Sequence, residues 1–297
     1  MRAVSHKVSS PRRRGSRGYT TCGGPWIPAF AGMKSASTKR GAQPLMPETA
    51  ETWALVLIGA LLAGLVQGAT GFAFSIVALS FWAWALPPEV AAPLAVLGAL
   101  TGQLTSLFSV RRGFEWSRIL PFVAGGVIGV PIGVFVLHNV DPARFRLALG
   151  IVFTLYGVYG LLAPEGAKVK AGGRGLDAVV GGIGGLLGGL GGLSGSVPAI
   201  WTQMRGWKRD VRRAIMQVYN IAMHVTTLVV YKAAGALNVT SWKLFAITAA
   251  PMLVASLYGV RLYRGFSERG FARLVLALIC LSGLTLTIGA ARALWRF

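Results

Sequence analysis

The sequence predicts an all-α, polytopic integral membrane protein with about eight transmembrane helices in two four-helix repeats. Three observations carry that prediction. Hydrophobic residues make up 54% of the 297 positions and charged residues only 13%. The apolar residues gather into long stretches almost free of charge, and the stretches of one half echo those of the other in order. A chain of this composition needs lipid to cover its apolar surface.

A membrane span needs roughly 20 apolar residues, and such stretches lie near Trp53 to Leu86, Val90 to Val110, Ile119 to Leu137, Phe145 to Leu162, Ala178 to Met204, Ala214 to Tyr231, Trp242 to Leu262 and Phe271 to Leu294. The formal net charge of +21 would suggest nucleic acid in a soluble protein. Here the basic residues sit in short loops between apolar spans, as membrane topology requires, so nucleic acid is rejected as a partner. Cys22 and Cys280 form no disulfide framework, metal site or redox pair.

Three segments follow. Residues 1–46 are a basic tail with nine cations and no acid before Met46. Such a segment is expected not to fold alone, and its composition makes Met46 the expected true start. Residues 47–165 form the first transmembrane repeat and residues 166–297 the second, divided by the polar loop Ala163 to Leu176. At an offset of about 126 residues Trp116 matches Trp242, Gly133 matches Gly259, Phe145 matches Phe271 and Gly157 matches Gly283. With the offset slipped by two, Gly68-Ala-Thr-Gly71 matches Gly192-Leu-Ser-Gly195. Four spans per half would make the halves parallel. A re-entrant hairpin in the long, glycine-interrupted first span of each half would change that parity. With eight spans the loop cations divide almost evenly between the two faces and set no orientation, whereas the tail favours the termini inside.

The run Gly181-Gly-Ile-Gly-Gly-Leu-Leu-Gly-Gly-Leu-Gly-Gly-Leu-Ser-Gly195 has two readings. Small residues four apart let helix backbones approach closely in lipid. So many glycines also weaken the helix, so that a break near Ser194 to Pro198 would present backbone amides to an anion. The equivalent break in the first half is Gly68 to Phe72, flanked by Gln67 and Thr70.

All nine acids fall outside the spans or at their ends, so no buried carboxylate is expected for a metal or a proton relay. Arg213, at the start of the sixth span, His224 within it and Lys232 at its exit remain as sources of positive potential or a coupling proton. Gln103, Gln217, Tyr219 and Asn220 read as interhelical hydrogen-bonding groups. One enzymatic alternative is an intramembrane serine protease, because Gly192-Leu-Ser194-Gly195 fits a Gly-x-Ser-Gly nucleophile motif and helical rise places His224 at the same depth. Its serine and histidine lie on consecutive spans, whereas rhomboid proteases place another span between them. A non-transporting membrane scaffold is the other alternative.

Several segments together resemble one family. They are Gly64-Leu-Val-Gln-Gly68-Ala-Thr-Gly71-Phe-Ala-Phe74, Pro87-Pro88 with Ala92-Pro-Leu-Ala-Val-Leu97, Trp116 followed by Gly129 to Gly133, Gly189-Leu-Gly-Gly-Leu-Ser-Gly195, Gly206-Trp-Lys208, Arg213-Ala214 and Pro251. Over residues 50–290 the chain resembles the sulfite exporter (TauE/SafE) family of membrane permeases. It departs from the common pattern at Ala73, Ser80 and Ser196. The resemblance implies a multi-pass protein of the bacterial inner membrane that carries a small anion, sulfite or an organosulfonate, as a secondary transporter. The expected substrate-binding residues are Gln67, Gly68, Thr70, Gly71, Gly192, Ser194, Gly195, Ser196, Arg213 and His224, with no catalytic residue, metal or cofactor. The expected partners are the anion and the bilayer, and a homo-oligomer is compatible with both.

Overall fold

The computed structural model describes residues 46–71, 73–107, 113–162, 172–262 and 268–295. The basic tail before Met46, Phe72 and most of the polar loop after Leu162 lie outside the described residues. Those residues form ten α-helices: α1 Ala50–Thr70, α2 Phe74–Ala85, α3 Pro88–Leu107, α4 Trp116–Asn139, α5 Pro142–Leu162, α6 Arg174–Gly191, α7 Ser196–Met204, α8 Arg209–Ala233, α9 Val239–Leu262 and α10 Glu268–Leu294. Six of them (α1, α4, α5, α8, α9 and α10) are long and apolar enough to cross a membrane. Large apolar side chains such as Ile128, Leu155, Val229 and Leu257 stand exposed along these helices, which is the surface a lipid-facing protein presents.

Each of the eight apolar stretches contains a long helix, but the first and the fifth each hold a second, short one. Helix α1 opens with a reciprocal cap, in which the Thr49 hydroxyl accepts from Thr52 N at 3.3 Å and the Thr52 hydroxyl accepts from Thr49 N at 3.2 Å. It ends at Gly71, whose φ of 85° suits only a residue without a Cβ. Helix α2 then runs back along α1: Trp82 Nε1 donates to Val56 O at 3.0 Å, and the same indole lies against Gly59. In the second half α6 ends at Gly192, φ 78°, and α7 returns along α6 so that Trp201 Nε1 donates to Asp177 Oδ1 at 2.7 Å.

These hairpins decide the topology. With them, every successive helix reverses direction, and the contacts agree. Gly64 and Gly68 of α1 meet Met252 and Ser256 of α9, a parallel pair, and Gly181, Gly185 and Gly189 of α6 meet Phe122, Gly126 and Val130 of α4, also parallel. Gly150 and Gly157 of α5 meet Thr287 and Cys280 of α10, an antiparallel pair. Five reversing helices precede the polar loop and five follow it. An odd number inverts the second series relative to the first, so the parallel arrangement expected from four spans per half is replaced by an inverted one. The register of the repeat shifts as well: the left-handed glycine that matches Gly71 is Gly192, not Gly195.

Most of the glycine-rich run does serve close packing. A methyl group on Gly185 would collide with the Gly126 backbone, and one on Gly129 with the Gly182 backbone. Lipid supplies no hydrophobic drive between helices, so this backbone approach is a main source of their association. Gly175, in the first turn of α6, faces open space. Gly185→Val should therefore lower the melting temperature of the purified protein in detergent, at an overpacking cost of about 1–3 kcal/mol. Gly175→Ala should leave it unchanged or raise it slightly.

Candidate functional site

The two breaks face each other. Gly192 lies against the Ser75 hydroxyl at the start of α2 and against Val96 in the middle of α3, and Gly191 lies against Leu79 of α2. The Ser75 hydroxyl donates to Ala95 O at 3.3 Å, which ties the start of α2 to α3 at the same level. Each short helix thus begins within the protein, covered by neighbours, as irregular backbone at membrane depth must be. Gln67 reaches across the first break, its Oε1 accepting from Phe74 N at 3.1 Å. Neither short helix has a side-chain cap from its own N-cap residue, Ala73 or Gly195.

Helix α8 supplies the opposite wall. Gln217, Asn220, His224 and Thr227, spaced three, four and three residues apart, share one face and are all buried. Asn220, near the middle of the helix, accepts from the Ser194 hydroxyl at 3.0 Å through Oδ1. Its Nδ2, with Asn220 only 1% exposed, has no protein partner among the described residues. The same holds for Gln67 Nε2, Gln103 Oε1, His224 Nδ1 and Thr227 Oγ1. Gln217 Nε2 donates to Gln103 O, and Gly102 packs on the Gln67 side chain. The Gly102-Gln103 segment of α3 thus adjoins both Gln67 of α1 and Gln217 of α8, and Asn220, one turn on from Gln217, meets Ser194. Leaving such groups unpartnered costs about 1–3 kcal/mol each, so the cluster suits a polar guest or water.

The expected site residues divide into two sets. Gln67, Gly192, Ser194, Gly195 and His224 line this cluster or adjoin it, with Gly195 facing the Asn220 amide so closely that a Cβ would lie 3.0 Å from it. Gly71 provides the turn and borders open space. Gly68 instead packs on the α9 backbone at Ser256, the Thr70 hydroxyl donates to Val66 O at 2.8 Å within its own helix, and the Ser196 hydroxyl donates to Leu193 O at 2.8 Å. Arg213 and Lys232 are exposed at opposite ends of α8 and do not enter the cluster. Of the three side chains expected to supply positive potential, His224 adjoins the cluster, and Arg213 and Lys232 stand at the ends of α8. The acids need a correction too: Asp177, at the start of α6, is buried and paired with Trp201. No group of three or more His, Cys, Asp or Glu able to hold a metal occurs among the described residues.

Facing helix breaks in an all-α framework with six helices long and apolar enough to cross a membrane are a feature of the class of membrane transporters with discontinuous helices. The family model for sulfite exporter TauE/SafE matches residues 56–286, and the chain belongs to that family. Its members are transporters of sulfur-containing anions and not enzymes. No curated protein and no solved structure matches the chain. The protease alternative also fails on geometry, because the Ser194 hydroxyl is engaged by Asn220 and not by a histidine. Asn220 and Ser75 are what sequence reading missed as site residues. The three-four-three spacing of polar residues along α8 was the signal for the first, and nothing local marked the second.

Gly195→Ala, whose Cβ would press on the Asn220 amide at 3.0 Å, and Asn220→Leu, which removes a hydrogen bond to an ion worth about 1.5–3 kcal/mol, should each reduce transport about tenfold or more. Arg213→Ala and Lys232→Ala should retain it. Initial rates in proteoliposomes, compared at matched protein incorporation, check both.

Proposed function

We propose that this protein is a secondary carrier of a small sulfur oxyanion, sulfite or an organosulfonate, in a bacterial inner membrane, working by alternating access. The observation that carries the reading is the meeting of the two breaks, with Gly192 beside Ser75 and Asn220 beside Ser194 and Gly195. An anion there is held by the Asn220 amide, the Ser194 and Ser75 hydroxyls, Gln67 and the positive dipole ends of α2 and α7. Neutral, fixed donors bind an oxyanion without a permanent countercharge, so the site can release its guest to either side. The two inverted series of five helices rock on one another about this point. His224, one turn beyond Asn220 on the same face, is the group we assign to a coupling proton.

The hairpins also support an orientation. Among the described residues, Arg118, Arg174, Arg205, Lys208, Arg209, Arg212, Arg213, Arg261, Arg269 and Arg273 fall at helix ends on one face, against Arg144, Arg146, Lys232, Lys243 and Arg292 on the other. In sequence, the connections on the richer face add Arg111, Arg112, Lys168, Lys170 and Arg264, and the C-terminal end on the other face adds Arg296. Basic residues near span ends stay in the cytoplasm. This supports a reading with both helix-bundle termini outside, whereas the tail alone favours them inside. Most of the tail's cations lie farther from the first helix than the roughly 15–20 residues over which the rule acts.

Proteoliposomes should take up radiolabelled sulfite or a simple sulfonate saturably, in preference to sulfate, and His224→Gln should abolish stimulation by a proton gradient while leaving exchange intact. Absence of uptake for every sulfur anion, under a gradient or a potential of either sign, would refute the reading. In intact cells, on a background lacking Cys22 and Cys280, an impermeant maleimide should label Lys243→Cys and spare Lys208→Cys.

A further inference from the structure

At the cation-rich face, away from the central cluster, a cavity of about 300 Å³ is lined by Arg118, Arg174, Arg205, Asp177 and Trp207. The Trp207 ring carries two guanidiniums, Arg118 at 5.0 Å and Arg205 at 5.2 Å from its centroid. Arg174 is exposed at the rim, at the first turn of α6. Arg118 also pairs with Glu115 at 2.8 Å, and Asp177 is held by Trp201. Three guanidiniums against one lining carboxylate and one neighbouring carboxylate leave a net positive pocket. Guanidiniums in this arrangement suit a phosphate, which accepts paired N–H donors.

What distinguishes the pocket from a vestibule for a free anion is its neighbour. Beside it, sharing Ser117 and Arg174, an apolar groove of about 380 Å³ runs along Leu120, Pro121 and Ala124 of α4. Leu120 is 58% exposed, so the groove opens where acyl chains lie. Trp116 and Phe114, exposed and stacked at 6.4 Å, mark the same level as the membrane–water boundary.

We infer that the Arg118–Arg174–Arg205 pocket and the adjoining α4 groove bind an anionic phospholipid, its phosphate among the guanidiniums and an acyl chain along Leu120 to Ala124. Basic pockets between helices on the cytoplasmic side take such headgroups. The lipid braces α4 against α6 and the end of α7, and so holds the hairpin that carries the second break. The site stands apart from the transport reading, because none of its residues belongs to the central cluster.

Native mass spectrometry of the full chain, released from mixed phosphatidylglycerol and phosphatidylcholine, tests it. Wild type should retain phosphatidylglycerol over phosphatidylcholine by about tenfold, as expected for two to three guanidiniums engaging one anionic headgroup. Arg174→Glu, which leaves both contacts to Trp207 in place, should bring the ratio near unity, and Arg174→Gln should fall between. Sulfate and glycerol 3-phosphate at matched concentration should not displace the lipid. Equal retention of the two lipids by wild type, or an unchanged ratio in both Arg174 variants at wild-type melting temperature, would overturn the proposal. Displacement by sulfate or glycerol 3-phosphate would overturn it in favour of a soluble anion.

Discussion

The reversal of the chain at Gly71 and Gly192 is the constraint from which the rest of the structure follows. Both residues hold a backbone conformation that a side chain would strain, and both sit where a long helix would otherwise run on. Reversal there ends α1 and α6 inside the protein and starts α2 and α7 near each other. Backbone groups freed in this way cannot be left to hydrocarbon. Gln67 therefore caps Phe74, and α3 and α8 cover the two turns. The same reversals add one helix to each series, make the count odd and invert one half on the other. Without them the chain would be a parallel duplicate with its loop charges evenly shared.

Around this centre the long helices are clamped by backbone contact. The α1–α9 and α4–α6 pairs are equivalent under the inverted repeat, and in both, glycines of one helix rest on the main chain of its partner. Tyr219 and Tyr231 of α8 add buried hydrogen bonds to the carbonyls of Gly181 at 2.7 Å and Gly189 at 2.8 Å. The tyrosine bonds lie within the second series, whereas the α1–α9, α4–α6 and α5–α10 pairs cross between the two series, so the halves are interleaved. The proposed guest at the breaks would touch elements of both: Ser75 and Gln67 from the first, Gly192, Ser194 and Asn220 from the second. Any movement of the two breaks relative to each other would change those distances, which is how the proposed carrier would link binding to access.

Much of this was legible in the sequence. The eight apolar stretches each contain a helix, and the resemblance to the sulfite exporter family is matched by the family model over residues 56–286. The run Gly181 to Gly195 carried both of its readings at once, close packing over most of α6 and a break at its end. Parity was not legible, because hydropathy counts apolar length and cannot see a turn at Gly71 that leaves both arms apolar. The repeat register was off by three residues for a related reason: glycine is so frequent around Gly192 that identity alone does not mark the one in the left-handed conformation. Arg213 looked central because charge near a span draws notice, yet a long basic side chain at a helix end extends to the surface. Asn220 looked like packing, and only its unpartnered amide beside Ser194 and Gly195 sets it apart.

A small oxyanion held by neutral groups where the two breaks meet is open to direct observation. Locating a heavy-atom analogue tests it most directly: selenite in place of sulfite, found by anomalous diffraction from crystals of the protein. A selenium peak is expected within hydrogen-bonding distance of Asn220 Nδ2 and the Ser194 hydroxyl, beside Gly192. A peak confined to the basic face near Arg205, Arg212 or Arg213, with none at the breaks, would contradict it.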